Sequence, residues 1–171
     1  QSKFLMVMKK LTSLFLQPIY DYNMSERFFE DMNIPKPEYN LGIAGGTHAQ
    51  MTGRMMAAIE EVLMKEQPDW LLVYGDTNST LAAALAAAKL HIPICHVEAG
   101  ARTHSRTNPE EINRICTDHV SALLLASTES GMDSMAVEGL ADRGHMVGDP
   151  CMTTWRPPCT RSRPPCATAA C

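Results

Sequence analysis

The stretch that decides the fold is PDWLLVYGDTNSTLAAALAAAKLHIPICHVEAG, residues 68–100. It begins with a short apolar run bounded by Pro and Gly, which predicts a buried strand at residues 70–74. A segment of strong helix formers follows, and a Thr-Asn pair at its start supplies cap residues. A second apolar run, IPICHV, predicts the next strand. Strand, helix and strand in this order indicate a βαβ unit and therefore a parallel sheet.

The same alternation continues on both sides of this unit. A long helix is predicted over residues 47–67, because Met51, Met55 and Ile59 recur at helical spacing. Upstream, ERFFEDM predicts a short helix that IPKP ends. Downstream come a helix at NPEEINRICTDHV, a strand at ALLLAS, a weaker helix at TESGMDSMAVEGL and a last strand at GHMVGD. The predicted fold class is α/β, a doubly wound, Rossmann-like parallel sheet, with ligands at the carboxyl ends of its strands.

The composition and net charge of the chain argue against some classes of binding partner. The 171 residues suit one domain, and a net charge of -4 argues against nucleic acid or a membrane surface as the main partner. No apolar run approaches the ~18 residues of a membrane span. The opening residues lack a small-residue cleavage site, so no signal peptide is predicted and a cytoplasmic location is expected. Four of the six cysteines lie in the last 21 residues without metal-ligand spacing, so neither a disulfide framework nor a metal site is expected.

Polar residues follow three of the predicted strands. Asp76 and Thr77 come after the first strand, Glu98 after the second and Asp149 after the last. Because neighbouring parallel strands end at the same edge, Asp76 and Glu98 are expected to face one crevice. Asp76 has an equally good interpretation as a helix cap. Glu98 suits neither a strand nor a turn, and the small residues after it, including Gly100, allow a close approach to the backbone.

The helix that starts at Pro109 carries two adjacent glutamates. Asn108 suits the N-cap, Pro109 the first helical position, and Glu111 a capping box three residues after Asn108. Glu110 has no such structural explanation, although it can pair with Arg114 at i,i+4. Glu110 is therefore left for function, with Arg114 as a candidate partner for an anion.

The sequence contains no motif for metal binding, for nucleotide binding by a glycine-rich loop or for a hydrolase nucleophile. The histidines are scattered without HExxH or paired spacing, and His96, inside a strand, is expected to be a hydrogen-bonded core or rim residue. AGGTH is not a nucleotide-binding fingerprint, and STESG lacks the elbow of a hydrolase nucleophile. The remaining carboxylates, with an arginine near a helix N-terminus, suit proton chemistry on an anionic substrate that carries phosphates.

Four ordered strings then carry a resemblance to a family. YGDTNSTLAAALAA, IPICHVEAGARTHSRTNPEEINR, TDHVSALLLASTES and VGDP resemble, in order and spacing, the non-hydrolysing UDP-N-acetylglucosamine 2-epimerases, over residues 20–150. A branch of that family includes epimerases of UDP-2,3-diacetamido-uronic acids. The resemblance implies a two-domain, glycosyltransferase-B-like architecture with the substrate between the domains. Residues 20–150 would form the Rossmann-like N-terminal domain of a homodimeric enzyme of cell-surface polysaccharide biosynthesis.

The chemistry that the resemblance implies is inversion at C2 of the sugar. UDP-GlcNAc would become UDP-ManNAc through elimination of UDP with loss of the C2 proton, followed by re-addition, and no redox cofactor is required. The division of acid and base roles among the carboxylates stays open. Two alternatives also stay open: a UDP-2,3-diacetamido-uronic acid 2-epimerase and a non-catalytic nucleotide-sugar-binding fragment. Carried over by motif, the catalytic residues are Asp76, Glu98 and Glu110, and the substrate-binding residues are Arg114, Gly100 and Thr77.

Three departures from the family pattern lead to further expectations. Residues 1–19 lack the family's first strand and its basic loop, so an exposed sheet edge is expected. Residues 151–171 form a Cys-, Pro- and Arg-rich tail without acidic residues, expected to be disordered or the product of a frameshift that replaced Met-His-Asp. Sequencing of the parent DNA tests the frameshift. The second domain and its catalytic histidine are missing, so the fragment alone is expected to be inactive.

Overall fold

Strands and helices alternate along the part of the chain that the computed structural model describes, residues 5–9, 12–17 and 38–148. The helix predicted at ERFFEDM, Asp149 and the tail 151–171 lie outside these residues. The strands are β1 (Leu5–Lys9), β2 (Thr12–Gln17), β3 (Tyr39–Asn40), β4 (Trp70–Tyr74), β5 (Ile94–Ala99), β6 (Leu123–Ala126) and β7 (Gly144–Met146). The helices are α1 (His48–Glu66), α2 (Asn78–Lys89), α3 (Pro109–Val120) and α4 (Glu129–Val137), and a 3₁₀ turn spans Ala141–Arg143.

One sheet contains all seven of these strands, in the order β3-β2-β1-β4-β5-β6-β7. Strands β4 to β7 run parallel, with Val73 opposite His96 and His96 opposite Leu124. Each parallel pair is joined by a helix or a helix and a turn, so the predicted α/β fold with a parallel sheet is confirmed. The carboxyl ends of β4, β5 and β6 therefore meet at one edge.

The expectation of an open sheet edge beside β4 is wrong. β1 lies there and runs antiparallel to β4, with Met6 opposite Leu72, and β2 pairs with β1 as the second strand of a hairpin. The run LMVMK is rich enough in apolar residues to form a strand, and an edge accepts a new strand in either direction. The atypical start of the chain thus supplies a strand, but with a direction that differs from that of the four parallel strands.

A cap residue lies at each end of helix α1. Thr47 and Gln50 form a reciprocal capping box: the Thr47 hydroxyl accepts from the Gln50 amide at 3.3 Å, and the Gln50 side chain accepts from the Thr47 amide at 3.2 Å. At the other end, Gln67 adopts a left-handed conformation with φ of 46° and caps the helix. The predicted span 47–67 thus corresponds to the helix together with its two cap residues.

The main core lies where α2 packs between α1 and α3 on the sheet. Alanines fill the buried face of α2, and their small side chains allow the neighbouring helices to approach closely. Met55 and Ile59 of α1 and Leu71 and Val73 of β4 complete this core. None of the helices in the described ranges combines the length and hydropathy needed to cross a bilayer.

Candidate active site

The carboxyl ends of β4 and β5 bring two of the predicted acids to neighbouring positions. Tyr74 and Val97 are partners in the parallel ladder, and the Gly75 amide donates to the Val97 carbonyl at 3.0 Å. Asp76 is the second residue after β4, and Glu98 is the penultimate residue of β5, one position earlier relative to the strand end than the sequence predicts. The structure thus places these residues at adjacent strand ends, as the sequence predicts.

Glu98 has a backbone conformation that glutamate rarely adopts. Its φ is 68°, in the left-handed region, and the β5–β6 register shifts between Val97 and Ala99. A left-handed non-glycine residue costs about 1–3 kcal/mol, and bulges of this kind are frequent beside active sites because they redirect a side chain. The half-buried Glu98 carboxyl is therefore placed by a local distortion that the rest of the fold must stabilise.

Asp76 is joined to helix α3 by two contacts. The Arg114 guanidinium pairs with the Asp76 carboxylate, and the Asn113 side chain donates to the Asp76 carbonyl at 2.9 Å. The Asn113 amide also donates to Asn78 at 3.1 Å, which links α3 to the start of α2. These contacts bring Arg114 against the strand-end acid, where the sequence had suggested pairing with Glu110. Glu110 is half-buried one turn before Arg114 in the first turn of α3.

Glu111 does not form the predicted capping box. Asn108 is the N-cap residue and Pro109 begins the helix, but the Asn108 side chain makes no cap hydrogen bond. The Glu111 carboxylate instead accepts from the Thr103 and His104 amides, each at 2.9 Å, and from the Thr103 hydroxyl at 3.1 Å. The loop after β5 folds back over the start of α3, so that its amides donate to Glu111. These hydrogen bonds hold the loop against the helix.

The environment of Glu111 favours its ionised form. Burial alone would raise the pKa of this carboxyl, but hydrogen bonds from Thr103 and His104 and the Arg102 charge hold the pKa below its ordinary value of 4.5. A folded-state pKa below the unfolded one adds stability that is complete above about pH 4.5 and is lost as the pH falls through the folded value.

Replacing Glu111 with glutamine is therefore expected to lower the free energy of unfolding by about 1–3 kcal/mol at pH 7, because loop amides lose an anionic acceptor. Glu110→Gln is the matched control, since it removes an acid from the same helix turn. Urea titrations at neutral pH and near pH 3 measure the free energy of unfolding of the two variants and of the wild type. The wild type should lose more stability on acidification than Glu111→Gln, whereas equal losses would show that Glu111 is not the acid-sensitive group.

A buried polar network links β5, α3 and the end of β4. His96 is fully buried, its Nε2 lies 2.7 Å from the Gly75 carbonyl, and its Nδ1 lies 2.6 Å from Asp118, which confirms the prediction of a hydrogen-bonded core histidine. Asp118 and Arg102 were not singled out. The signal that indicates Asp118 is the spacing of Glu111, Arg114 and Asp118 along α3, which places three charged residues on one helical face.

Gly100 and Thr77 also have structural roles. Gly100 has a φ of 78°, and a Cβ atom there would lie 2.3 Å from the Gly131 carbonyl oxygen, so only glycine fits. Thr77 is the N-cap residue of α2, and its hydroxyl lies 2.7 Å from that of Ser79 and 3.1 Å from that of Thr80. Substrate binding by these two residues stays a prediction.

No group of three or more His, Cys, Asp or Glu side chains within residues 38–148 is arranged to hold a metal ion.

The parallel strands and the helices that join them define an α/β, Rossmann-like domain, with acids at the ends of two neighbouring strands. The sequence model of the UDP-N-acetylglucosamine 2-epimerases matches residues 18–164, and the chain belongs to this family.

Relatives and solved structures agree with this assignment. The chain is 60% identical over 120 residues to the UDP-2,3-diacetamido-2,3-dideoxy-D-glucuronate 2-epimerase of Pseudomonas aeruginosa, covering 70% of this chain and 34% of that protein. It is 49% identical over 142 residues to the UDP-N-acetylglucosamine 2-epimerase of Methanococcus maripaludis, covering 82% and 39%. The Methanocaldococcus jannaschii UDP-GlcNAc 2-epimerase, solved in complex with UDP-GlcNAc and UDP, superposes with a TM-score of 0.75 at 49% identity, covering 77% and 37%. The chain thus spans little more than a third of the length of these relatives.

Proposed function

We propose that a protein of the relatives' length containing this chain is a UDP-N-acetylglucosamine 2-epimerase, an isomerase that converts UDP-GlcNAc to UDP-ManNAc. The observation that carries the proposal is the left-handed Glu98 at the end of β5, next to the strand end where Arg114 pairs with Asp76. A strained acid beside a second acid and a cation suits proton removal from a substrate that carries charged phosphates.

The proposed reaction uses the three carboxylates Asp76, Glu98 and Glu110. One carboxylate removes the C2 proton while the C1–oxygen bond to UDP breaks, which gives UDP and 2-acetamidoglucal. A second, protonated carboxyl supplies a proton to the departing bridging oxygen. Re-addition of UDP to C1 with protonation of C2 from the opposite face gives the epimer. The steps balance without an oxidant or a reductant, so the proposal needs no redox cofactor.

The remaining residues are assigned to binding. Arg114 would orient Asp76 and contribute positive charge near the nucleotide phosphates. Thr77 and Gly100, at the same strand ends, would line the sugar pocket. Residues 20–150 would form the N-terminal domain of a two-domain, glycosyltransferase-B-like enzyme that works in the cytoplasm as a homodimer, and activity would require the second domain.

A specific observation favours a second substrate. Identity to the Pseudomonas aeruginosa UDP-2,3-diacetamido-2,3-dideoxy-D-glucuronate 2-epimerase is 60%, against 49% to the Methanococcus maripaludis UDP-N-acetylglucosamine 2-epimerase. The two substrates share UDP and the C2 acetamido group and differ at C3 and C6. The proton chemistry at C2 is therefore the same for both.

The two candidates are distinguished by supplying each nucleotide sugar to a protein of the relatives' full length that carries residues 38–148 of this chain. We expect UDP-ManNAc to appear from UDP-GlcNAc in the proton NMR spectrum until both epimers are present. Conversion of only the diacetamido-glucuronate compound would keep the epimerase assignment and change the substrate. Binding of either compound without epimerisation would establish the alternative of a non-catalytic nucleotide-sugar-binding protein.

A further inference from the structure

A cluster of four ionisable side chains, three of them buried, contacts residues next to Glu98 in sequence and lies outside the set of proposed catalytic residues. It consists of His96, Arg102, Asp118 and Glu138 and is called the Asp118 cluster below. Asp118 and His96 are fully buried, and the Arg102 side chain is 2% exposed. Burying three such groups is costly, and apolar residues of similar volume often give equal or greater stability. A contribution to stability therefore does not by itself explain why these charged groups are buried here.

The carboxylate of Asp118 contacts β5 and the loop that follows it at three points. One oxygen lies 2.6 Å from Nδ1 of His96. The other accepts from the Gly100 amide at 3.0 Å and lies 2.7 Å from the Arg102 guanidinium. Glu98 stands midway between His96 and Gly100 in the chain. A single carboxylate on α3 thus contacts a residue on each side of Glu98, the side chain of His96 and the backbone amide of Gly100.

The same contacts extend to the neighbouring strand end. Nε2 of His96 lies 2.7 Å from the carbonyl oxygen of Gly75, the residue that precedes Asp76. Both ring nitrogens of His96 therefore lie within hydrogen-bonding distance of oxygen atoms. Through His96, Asp118 holds the end of β4 and the end of β5 in one fixed arrangement.

The electrostatics keep Asp118 in the form that these contacts need. Burial would raise the pKa of Asp118, but the hydrogen bond and charge of His96 together with the charge of Arg102 hold the pKa below its ordinary value. The ionised carboxylate accepts all of the hydrogen bonds that reach it.

We propose that Asp118 is a positioning residue for the epimerase reaction, which keeps Glu98 in its left-handed conformation and in register with Asp76. This inference rests on the proposed function for its kinetic consequence. Its structural part, the dependence of the Glu98 backbone on Asp118, stands independently of any activity. Asp118 is proposed to touch no reacting atom and to act through its contacts with His96 and Gly100.

The kinetic test compares Asp118→Asn with Glu138→Gln in a protein of the relatives' full length that carries this sequence. Both substitutions take a carboxylate from Arg102, but only Asp118 contacts Gly100 and His96. If Asp118 positions Glu98, Asp118→Asn lowers kcat by about a hundredfold, with KM within about twofold of the wild-type value. Glu138→Gln should keep kcat within about threefold. Equal losses in the two variants would overturn the proposal, because they would indicate a purely structural role for the ion pairs of Arg102.

A spectroscopic test uses the 171-residue chain and needs no activity. In the wild type, a strong NOE between the amide and Hα protons of Glu98 reports its positive φ, and Asp118→Asn should weaken it while Glu138→Gln leaves it unchanged. If Asp118→Asn does not fold, Asp118→Ser takes its place, since it also removes the carboxylate that accepts from Gly100 and faces His96. Retention of the NOE in the folded variant overturns the proposal. A wild-type enzyme without epimerase activity would instead refute the proposed function and leave the NOE test decisive.

Discussion

The variant Glu98→Gln, in a protein of the relatives' full length, is expected to lower the rate of C2 proton exchange by about 10²–10⁴-fold. Glutamine keeps the size of the side chain and its hydrogen-bonding reach but can neither accept nor supply a proton in the reaction. The left-handed backbone at this position is fixed by neighbouring contacts, so the substitution leaves the site geometry in place. Exchange is measured as deuterium incorporation into UDP-GlcNAc in D₂O.

The matched control for this variant is Glu61→Gln, an exposed glutamate in the middle of α1. Exchange by this control should stay within about twofold of wild type, as for most surface substitutions. A Glu98→Gln enzyme that exchanges the C2 proton at the rate of the control would remove Glu98 from the catalytic set and leave the acid and base roles to Asp76 and Glu110.

Gly100→Ala is expected to lower the free energy of unfolding of the chain by about 2–5 kcal/mol, a large part of the stability of an ordinary domain. Two effects add. A left-handed alanine is strained at a φ of 78°, and its Cβ would lie 2.3 Å from the carbonyl oxygen of Gly131 at the start of α4. Either β5 or α4 must move, and movement of β5 displaces Glu98.

Gly139→Ala separates these two effects. Gly139 has a similar φ of 73°, but no atom lies within 4 Å of the Cβ position. It should therefore show only the conformational cost of about 1–2 kcal/mol. Urea unfolding of the two variants and the wild type gives both values. If the two variants are equally destabilised, the close approach of Gly131 to β5 does not exist in solution.

The parallel sheet is predictable from residues 68–100 because β4, α2 and β5 each carry an unambiguous local signal. Apolar runs bounded by Pro and Gly are typical of buried strands, and the alanine-rich segment has few alternatives to a helix. The position of Asp76 and Glu98 follows from this alternation alone, since consecutive parallel strands end at the same edge. That part of the candidate site needs no knowledge of tertiary packing.

The features that the sequence does not predict depend on contacts between distant segments of the chain. The pairing of β1 with β4 depends on which edge is available to residues 5–9, and their sequence specifies a strand without a direction. Glu111 satisfies every rule for a capping box, but the loop amides of Thr103 and His104 bind its carboxylate instead. The left-handed Glu98 was also unforeseen, because glutamate has no intrinsic preference for that conformation and only the surrounding structure imposes it.

The most direct test of the central claim is the location of deuterium in the nucleotide sugars recovered from D₂O. A full-length protein carrying this sequence, incubated with UDP-GlcNAc, should place solvent deuterium at C2 of both epimers and at no other sugar carbon. NMR of the recovered sugars reads each position separately. We expect deuterium at C2 with the wild-type enzyme and its loss with Glu98→Gln. Formation of UDP-ManNAc without solvent deuterium at C2 would contradict it, because the C2 proton would then never reach a carboxylate that exchanges with water.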